Sequence, residues 1–235
     1  EKLFDATSQT FQANEFTQNN FCDIGNYFSQ ATQFGNAALM AYSATDVEKS
    51  NYIKQSLYYL VLHEVGHTFG LNHNMKASQL HSPANINNAT LTKQIGLTGS
   101  VMDYPAPRVK LTNGKIDLSD AYGVGIGEWD KFTTRYLYAE TDDAARSLAQ
   151  AAQAKGYRFV SDNDSRPTST GNPEGALWDD FADPVAELSR VMQVRAVALA
   201  RFNVDAIPAG QDLASLRRAF VPIWLLHRFQ IEAVA

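Results

Sequence analysis

Apolar positions along this chain fall mostly at helical spacing. From Ile24 to Met40 the pattern reads as one helix, with possible interruptions at Gly25 and Gly35. A longer helical pattern follows and runs to about Phe69. It opens on Thr45-Asp46-Val47-Glu48, where a hydroxyl acceptor and a carboxylate three residues on have the spacing of a capping box. Inside it, Tyr58-Tyr59-Leu60-Val61-Leu62 wraps apolar side chains around the axis, so this helix is expected to be central and covered on most sides. Shorter patterns predict a helix over 127–138 that carries Trp129 and Phe132, and another over 142–155, closed by Gly156 in the place of a left-handed C-cap. Further on, Asp183-Pro184 supplies a cap and a first-turn proline. Val185, Leu188, Val191, Met192, Leu199 and Phe202 follow at helical spacing. A last helix is expected from about Leu213 to Val234, interrupted or offset near Pro222.

The stretches between these patterns are polar. Residues 1–20 are rich in Gln, Asn, Thr and Phe without a sustained period, which suggests irregular structure packed down by Phe4, Phe11, Phe16 and Phe21. From Asn72 to Lys115 the composition turns to Asn, Ser, Thr, Pro and Gly, a loop-rich segment of a length that is usually functional in a compact domain. Residues 161–180 read as a linker or exposed loop. No period-two alternation is long enough to supply several strands. The expected fold is therefore mainly α with few short strands, organised as a first region over 1–140, a helix and linker over 141–180, and a C-terminal helical region over 181–235.

Composition narrows the function classes. A chain of 235 residues with 45% hydrophobic and 19% charged content can bury a sizeable core. The net charge is only -5 and the cations are scattered, so nucleic acid is not an expected partner. No apolar run approaches the roughly 20 residues that span a bilayer. Cys22 is the single cysteine and cannot form an internal disulfide; it reads as a buried thiol. The first residue is Glu1, without an initiator methionine or signal sequence, and the last residues lie in mid-helix pattern, so a longer parent protein is expected.

The densest chemistry lies in HEVGHTFGLNH, residues 63–73. On a helix, His63 and His67 stand one turn apart on one face with about 5–6 Å between Cβ atoms, near enough for two imidazoles to share an ion. Glu64 lies about 100° around the axis from His63, beside a metal rather than on it, where a carboxylate can act as general base toward water. If the helix simply continued, His73 would sit about 9 Å further along the axis than His67 and could not reach the same ion. The helix must stop and turn back, and Gly70 can take the positive φ that such a reversal needs. Three histidines leave a fourth position open, as in a catalytic rather than a closed structural site. A chance match to H-E-x-x-H-x-x-G-x-x-H in a chain of this length is roughly one in 10^5. His81 and His227 lack ligand spacing; His81 is expected to be exposed in its loop and His227 to be structural.

This segment resembles the elongated zinc signature of the metzincin metallopeptidases, and Ser100-Val101-Met102-Asp103-Tyr104 resembles their Met-turn. More narrowly, 72–78, the Gly123 to Tyr138 segment with Trp129 and Asp130, the Trp178 to Pro184 stretch and 226–230 are similar to bacterial met-zincin proteins, which are generally large and exported. The resemblance implies Zn2+ held by His63, His67 and His73, Glu64 as base, and Met102 in a tight turn beneath the metal without binding it. Tyr104 matches the place where some members carry a tyrosine that binds zinc or stabilises the oxyanion. It further implies a peptide or protein substrate and a secreted or periplasmic location.

The resemblance also brings a difference. Metzincins place a twisted sheet before the signature helix and align substrate on its edge strand, whereas the 62 residues before His63 read as loop or helix. Much of the upper cleft wall is therefore expected to be lacking. Three functional readings stay open: a zinc-dependent endopeptidase, a zinc-binding or interaction domain that keeps the scaffold without turnover, and a metal-dependent hydrolase of non-peptide substrates that shares the site. Substrate specificity and oligomeric state are not legible.

Overall fold

The computed structural model describes residues 24–42, 44–165, 172–179, 182–207 and 209–234. The expectations for Phe4, Phe11, Phe16, Phe21 and Cys22 lie outside the described residues. The architecture is mainly helical, as expected. Helix α1 spans Ile24–Ala41, and neither Gly25 nor Gly35 interrupts it. Gly35 instead marks a close crossing: a Cβ there would lie 2.2 Å from the Tyr52 ring, and the Tyr52 hydroxyl donates to the Ala31 carbonyl at 2.6 Å.

Helix α2 spans Asp46–Thr68. Its start is the expected capping box: the Thr45 hydroxyl accepts from Glu48 N at 3.2 Å, and Glu48 Oε2 accepts from Thr45 N at 2.7 Å. Tyr52, Ser56, Tyr59, His63 and Gly66 form the buried strip. They recur at helical intervals, and Tyr59 meets Phe28 and Tyr122 with ring centroids 5.7 and 5.9 Å apart. The rest of the helix is not covered on most sides. Leu57, Tyr58, Val61, Val65 and Phe69 are exposed, because only one strip of the apolar wrap meets partners among the described residues.

The segment after α2 carries more local structure than a loop. It holds a 3-10 turn at Ser78–Leu80, α3 at Pro83–Ile86 capped by Ser82, and α4 at Ala89–Ile95 capped by Asn88. Strands β1 (Lys110–Thr112) and β2 (Lys115–Asp117) then pair antiparallel, with Leu111 opposite Ile116. Their connection is Asn113-Gly114, both at positive φ (53° and 71°), the two-residue turn whose twist suits a hairpin.

Helices α5 (Glu128–Leu137) and α6 (Asp142–Ala154) lie where the pattern put them, and Gly156 closes the second at φ 73°. A single turn, α7, covers Asp162–Ser165. The described parts of 161–180 are not simply a linker or exposed loop: Trp178 and Asp179 are buried, because their backbone and side chains bond to the interior described below. Helix α8 spans Pro184–Arg201, and Asp183 accepts from Ala186 N at 2.9 Å. Its buried strip is Glu187, Val191, Val194 and Ala198, whereas Val185 and Met192 face outward. Helix α9 (Leu213–Trp224) contains Pro222 and ends soon after it, since proline offers no N–H to the preceding turn; α10 covers Arg228–Glu232. One apolar core joins Ile24, Phe28, Tyr59, Met102, Tyr104, Trp178, Val194 and Ile223. No helix among the described residues is long and apolar enough to cross a membrane.

Candidate metal centre

Three imidazoles meet at the end of α2. His63 and His67 project from its last turns, and the chain then reverses at Gly70, whose φ is 80°. Leu71 N returns to the Gly66 carbonyl at 3.2 Å, and this reversal brings His73 back to the helix. His67 Nε2 lies 3.0 Å from His73 Nε2, and His73 Nε2 lies 3.2 Å from His63 Nε2.

The opposite nitrogens show what this convergence means. His63 Nδ1 is 2.6 Å from the Val101 carbonyl, His67 Nδ1 is 3.0 Å from the Leu71 carbonyl, and His73 Nδ1 is 2.7 Å from Asp162 Oδ2. Carbonyl and carboxylate oxygens only accept, so each Nδ1 is the protonated nitrogen of its ring. The three Nε2 lone pairs then face one another and need a cation between them. Ligands about 2.0–2.1 Å from a tetrahedral zinc stand ~3.3 Å apart, close to the spacings seen. The donor set therefore fits a metal held by His63, His67 and His73. Burial first, and then the neighbouring His73, pushes His63 down to about 3, so its imidazole stays neutral and its lone pair available.

The Ser100–Tyr104 turn meets the ligands through the Val101 carbonyl and the Tyr104 ring, and is fastened by buried carboxylates. Asp130 accepts from the Ser100 hydroxyl, from Val101 N at 2.9 Å and from Gly127 N at 2.7 Å. Asp130 thus holds Val101 by its N–H, and the carbonyl of that same residue orients His63. Asp103 accepts from Ser78 N at 2.5 Å and Tyr104 N at 2.7 Å; burial pushes its carboxyl up to about 7, opposed by these donors. Asp179 accepts from the Ser78 hydroxyl and from Gln79 Nε2 at 2.9 Å.

Met102 packs its sulfur against the backbone of α2 at Gly66, where a Cβ would lie 2.3 Å from Sδ. An alanine in a helix interior ordinarily stabilises relative to glycine by about 1 kcal/mol. Here Gly66→Ala is expected to reverse that sign and destabilise by about 1–3 kcal/mol, because Met102 is fully packed and must be displaced. A denaturant midpoint at or above that of the parent would contradict this.

Tyr104 is completely buried, its ring 5.5 Å from that of His63 and 4.9 Å from that of His73. The Trp178 ring also packs against it at 5.3 Å, with Trp178 N donating to the Tyr104 carbonyl at 2.8 Å. Trp178 has φ 66°, strained for a bulky residue, and Gln230 Nε2 holds its carbonyl at 2.7 Å. Glu64 follows His63 on α2 and is exposed. Contrary to expectation, His81 is buried (3% exposed), because its loop folds inward; burial lowers its pKa, opposed by Glu128 and by the Thr98 and Ile95 backbone. His227 is half-buried at the start of α10. Neither joins the three-histidine group.

Asp162, Asn74 and Gly66 escaped the reading of the sequence as site residues. Gly66 sits inside the signature and could have been found there as the place where the helix is closely approached. The others act through distant contacts that no local spacing announces.

A helix ending in a glycine reversal, with three imidazoles turned to one point, defines a metzincin-type zinc metallopeptidase scaffold. The Met-zincin family model matches residues 45–235, and the chain belongs to that family. A model of the reprolysin-like metallopeptidases of family M12B matches residues 2–74. The two matches overlap on the segment that contains all three histidines. No curated protein and no solved structure gives a significant match.

Proposed function

We propose that this protein is a zinc-dependent endopeptidase that hydrolyses peptide bonds with an activated water. The observation that carries the reading is the set of three Nε2 atoms turned together while each Nδ1 is spent on an acceptor. Zinc bound there would supply Lewis acidity, polarising the scissile carbonyl and lowering the pKa of water toward about 7. His63, His67 and His73 would hold it. Glu64, one residue after the first ligand and open to solvent, takes the proton from the attacking water and passes it to the leaving amine. Tyr104, packed against two ligand rings, serves as a donor to the developing oxyanion. The buried Ser100–Tyr104 turn is the family's Met-turn in this reading, fixing His63 through Val101. Export from the cell belongs to the same proposal, on the family resemblance.

A second reading, zinc binding without turnover, is favoured by one observation. Among the described residues the single strand pair is the Lys110–Asp117 hairpin, so none of them supplies a long sheet edge on which to align a substrate. Elemental analysis of the purified protein, run beside its cleavage of casein, separates the two. One zinc per chain with cleavage supports the endopeptidase; one zinc without cleavage supports the binding domain.

A further inference from the structure

The three histidines are not anchored alike. His63 and His67 give their Nδ1 protons to backbone carbonyls, whereas His73 gives its proton to a carboxylate 89 residues away in the chain. Resting on the metal-centre reading above, the geometry assigns Asp162 as a positioning residue: it holds His73 in the Nδ1–H tautomer, fixes the plane of its ring and adds a negative charge behind that ligand.

The fold delivers Asp162 through the residue next to His73. Asn74 is fully buried, and its backbone and side chain bond to two distant segments of the chain. Its backbone N donates to the Met102 carbonyl at 3.0 Å, which ties it to the Ser100–Tyr104 turn. Its Nδ2 donates to the Arg158 carbonyl at 3.0 Å, and its Oδ1 accepts from Val160 N at 3.2 Å. Met75 N completes the clamp on the Val160 carbonyl at 2.9 Å. Two residues on, Asp162 begins α7, and the Ser161 hydroxyl closes that turn on Asp164 at 3.1 Å. The carboxylate thus arrives on a segment stapled to the zinc loop itself.

A stabilising ion pair is the simpler account, and the ligand role of His73 argues against it as the main role. A His73 that offers Nε2 to a metal is neutral, so the contact is a hydrogen bond from its Nδ1–H to a carboxylate rather than a pair of opposite charges. Orientation and basicity of a metal-bound imidazole matter more: loss of a carboxylate partner typically costs 10–100-fold in metal affinity.

The test compares zinc dissociation constants of the parent, Asp162→Asn and Asp162→Ala, by competition with a chromophoric chelator at neutral pH. Asparagine keeps an acceptor without the charge, and alanine removes both. Zinc binding is expected to weaken by about 10–100-fold in Asp162→Ala and by less in Asp162→Asn. Histidine nitrogen NMR of the metal-free protein supplies a readout that a purely structural role would not move: His73 should be the Nδ1–H tautomer in the parent and a mixture in Asp162→Ala. A parent that binds zinc and an Asp162→Ala variant that binds it within about twofold as tightly would overturn the assignment and leave the metal centre standing. A parent that binds no zinc would overturn the metal centre, and the role of Asp162 with it.

Discussion

His73→Ala is expected to strip zinc from the protein, lowering a stoichiometry of one per chain to a small fraction after dialysis against a mild chelator. Losing a ligand removes a bond to the ion, so the loss should exceed the 10–100-fold that an orienting partner is worth. The side chains left behind define the size of the effect. His63 and His67 retain their carbonyl anchors on Val101 and Leu71, but two neutral imidazoles make a weaker site than three, and Asp162 would face a void. His81→Ala is the matched control, since it removes a buried histidine outside the three-histidine group and should leave zinc content unchanged. If His73→Ala kept its zinc, the reversal at Gly70 would not be bringing His73 to the ion.

That experiment probes the part of the site most legible in the sequence, and the reason is spacing. His63, Glu64, His67, Gly70 and His73 lie within eleven residues, where helix geometry and one glycine decide what can meet. Capping chemistry was legible for the same reason: Thr45 with Glu48, Asp183 with Pro184, and Gly156 act over one turn and need no tertiary information. The Asn113-Gly114 hairpin had an equally local signal, hidden inside a long stretch of loop-like composition.

What could not be read depends on which distant segment arrives. Polar composition placed His81, Trp178 and Asp162 on the outside, whereas the structure buries the first two and sets the third on a ligand. The apolar wrap of α2 pointed the other way: periodicity reports that Val61 and Val65 can be covered, not what covers them. The mainly helical class survived these errors because it rests on the summed pattern rather than on any one loop.

Glu64→Gln is expected to leave zinc in place and to reduce peptide-bond cleavage by about 10^2–10^4-fold, the range that positioned proton transfer contributes. Glutamine matches glutamate in size and keeps an acceptor, but it cannot take a proton from water at neutral pH. The position favours a clean result. Glu64 is exposed on α2, and zinc retained by the variant would show that the site is still assembled, so turnover lost with zinc in place would not be a folding effect. The ligands on either side keep their own anchors, since none of the three Nδ1 contacts involves Glu64. Zinc analysis and casein cleavage on the same preparation therefore separate chemistry from binding. Turnover within about threefold of the parent, with zinc retained, would remove Glu64 from the mechanism and require another base. Loss of zinc together with turnover would instead make Glu64 part of the metal's coordination, a role for which its position beside His63 rather than on the same face gives no support.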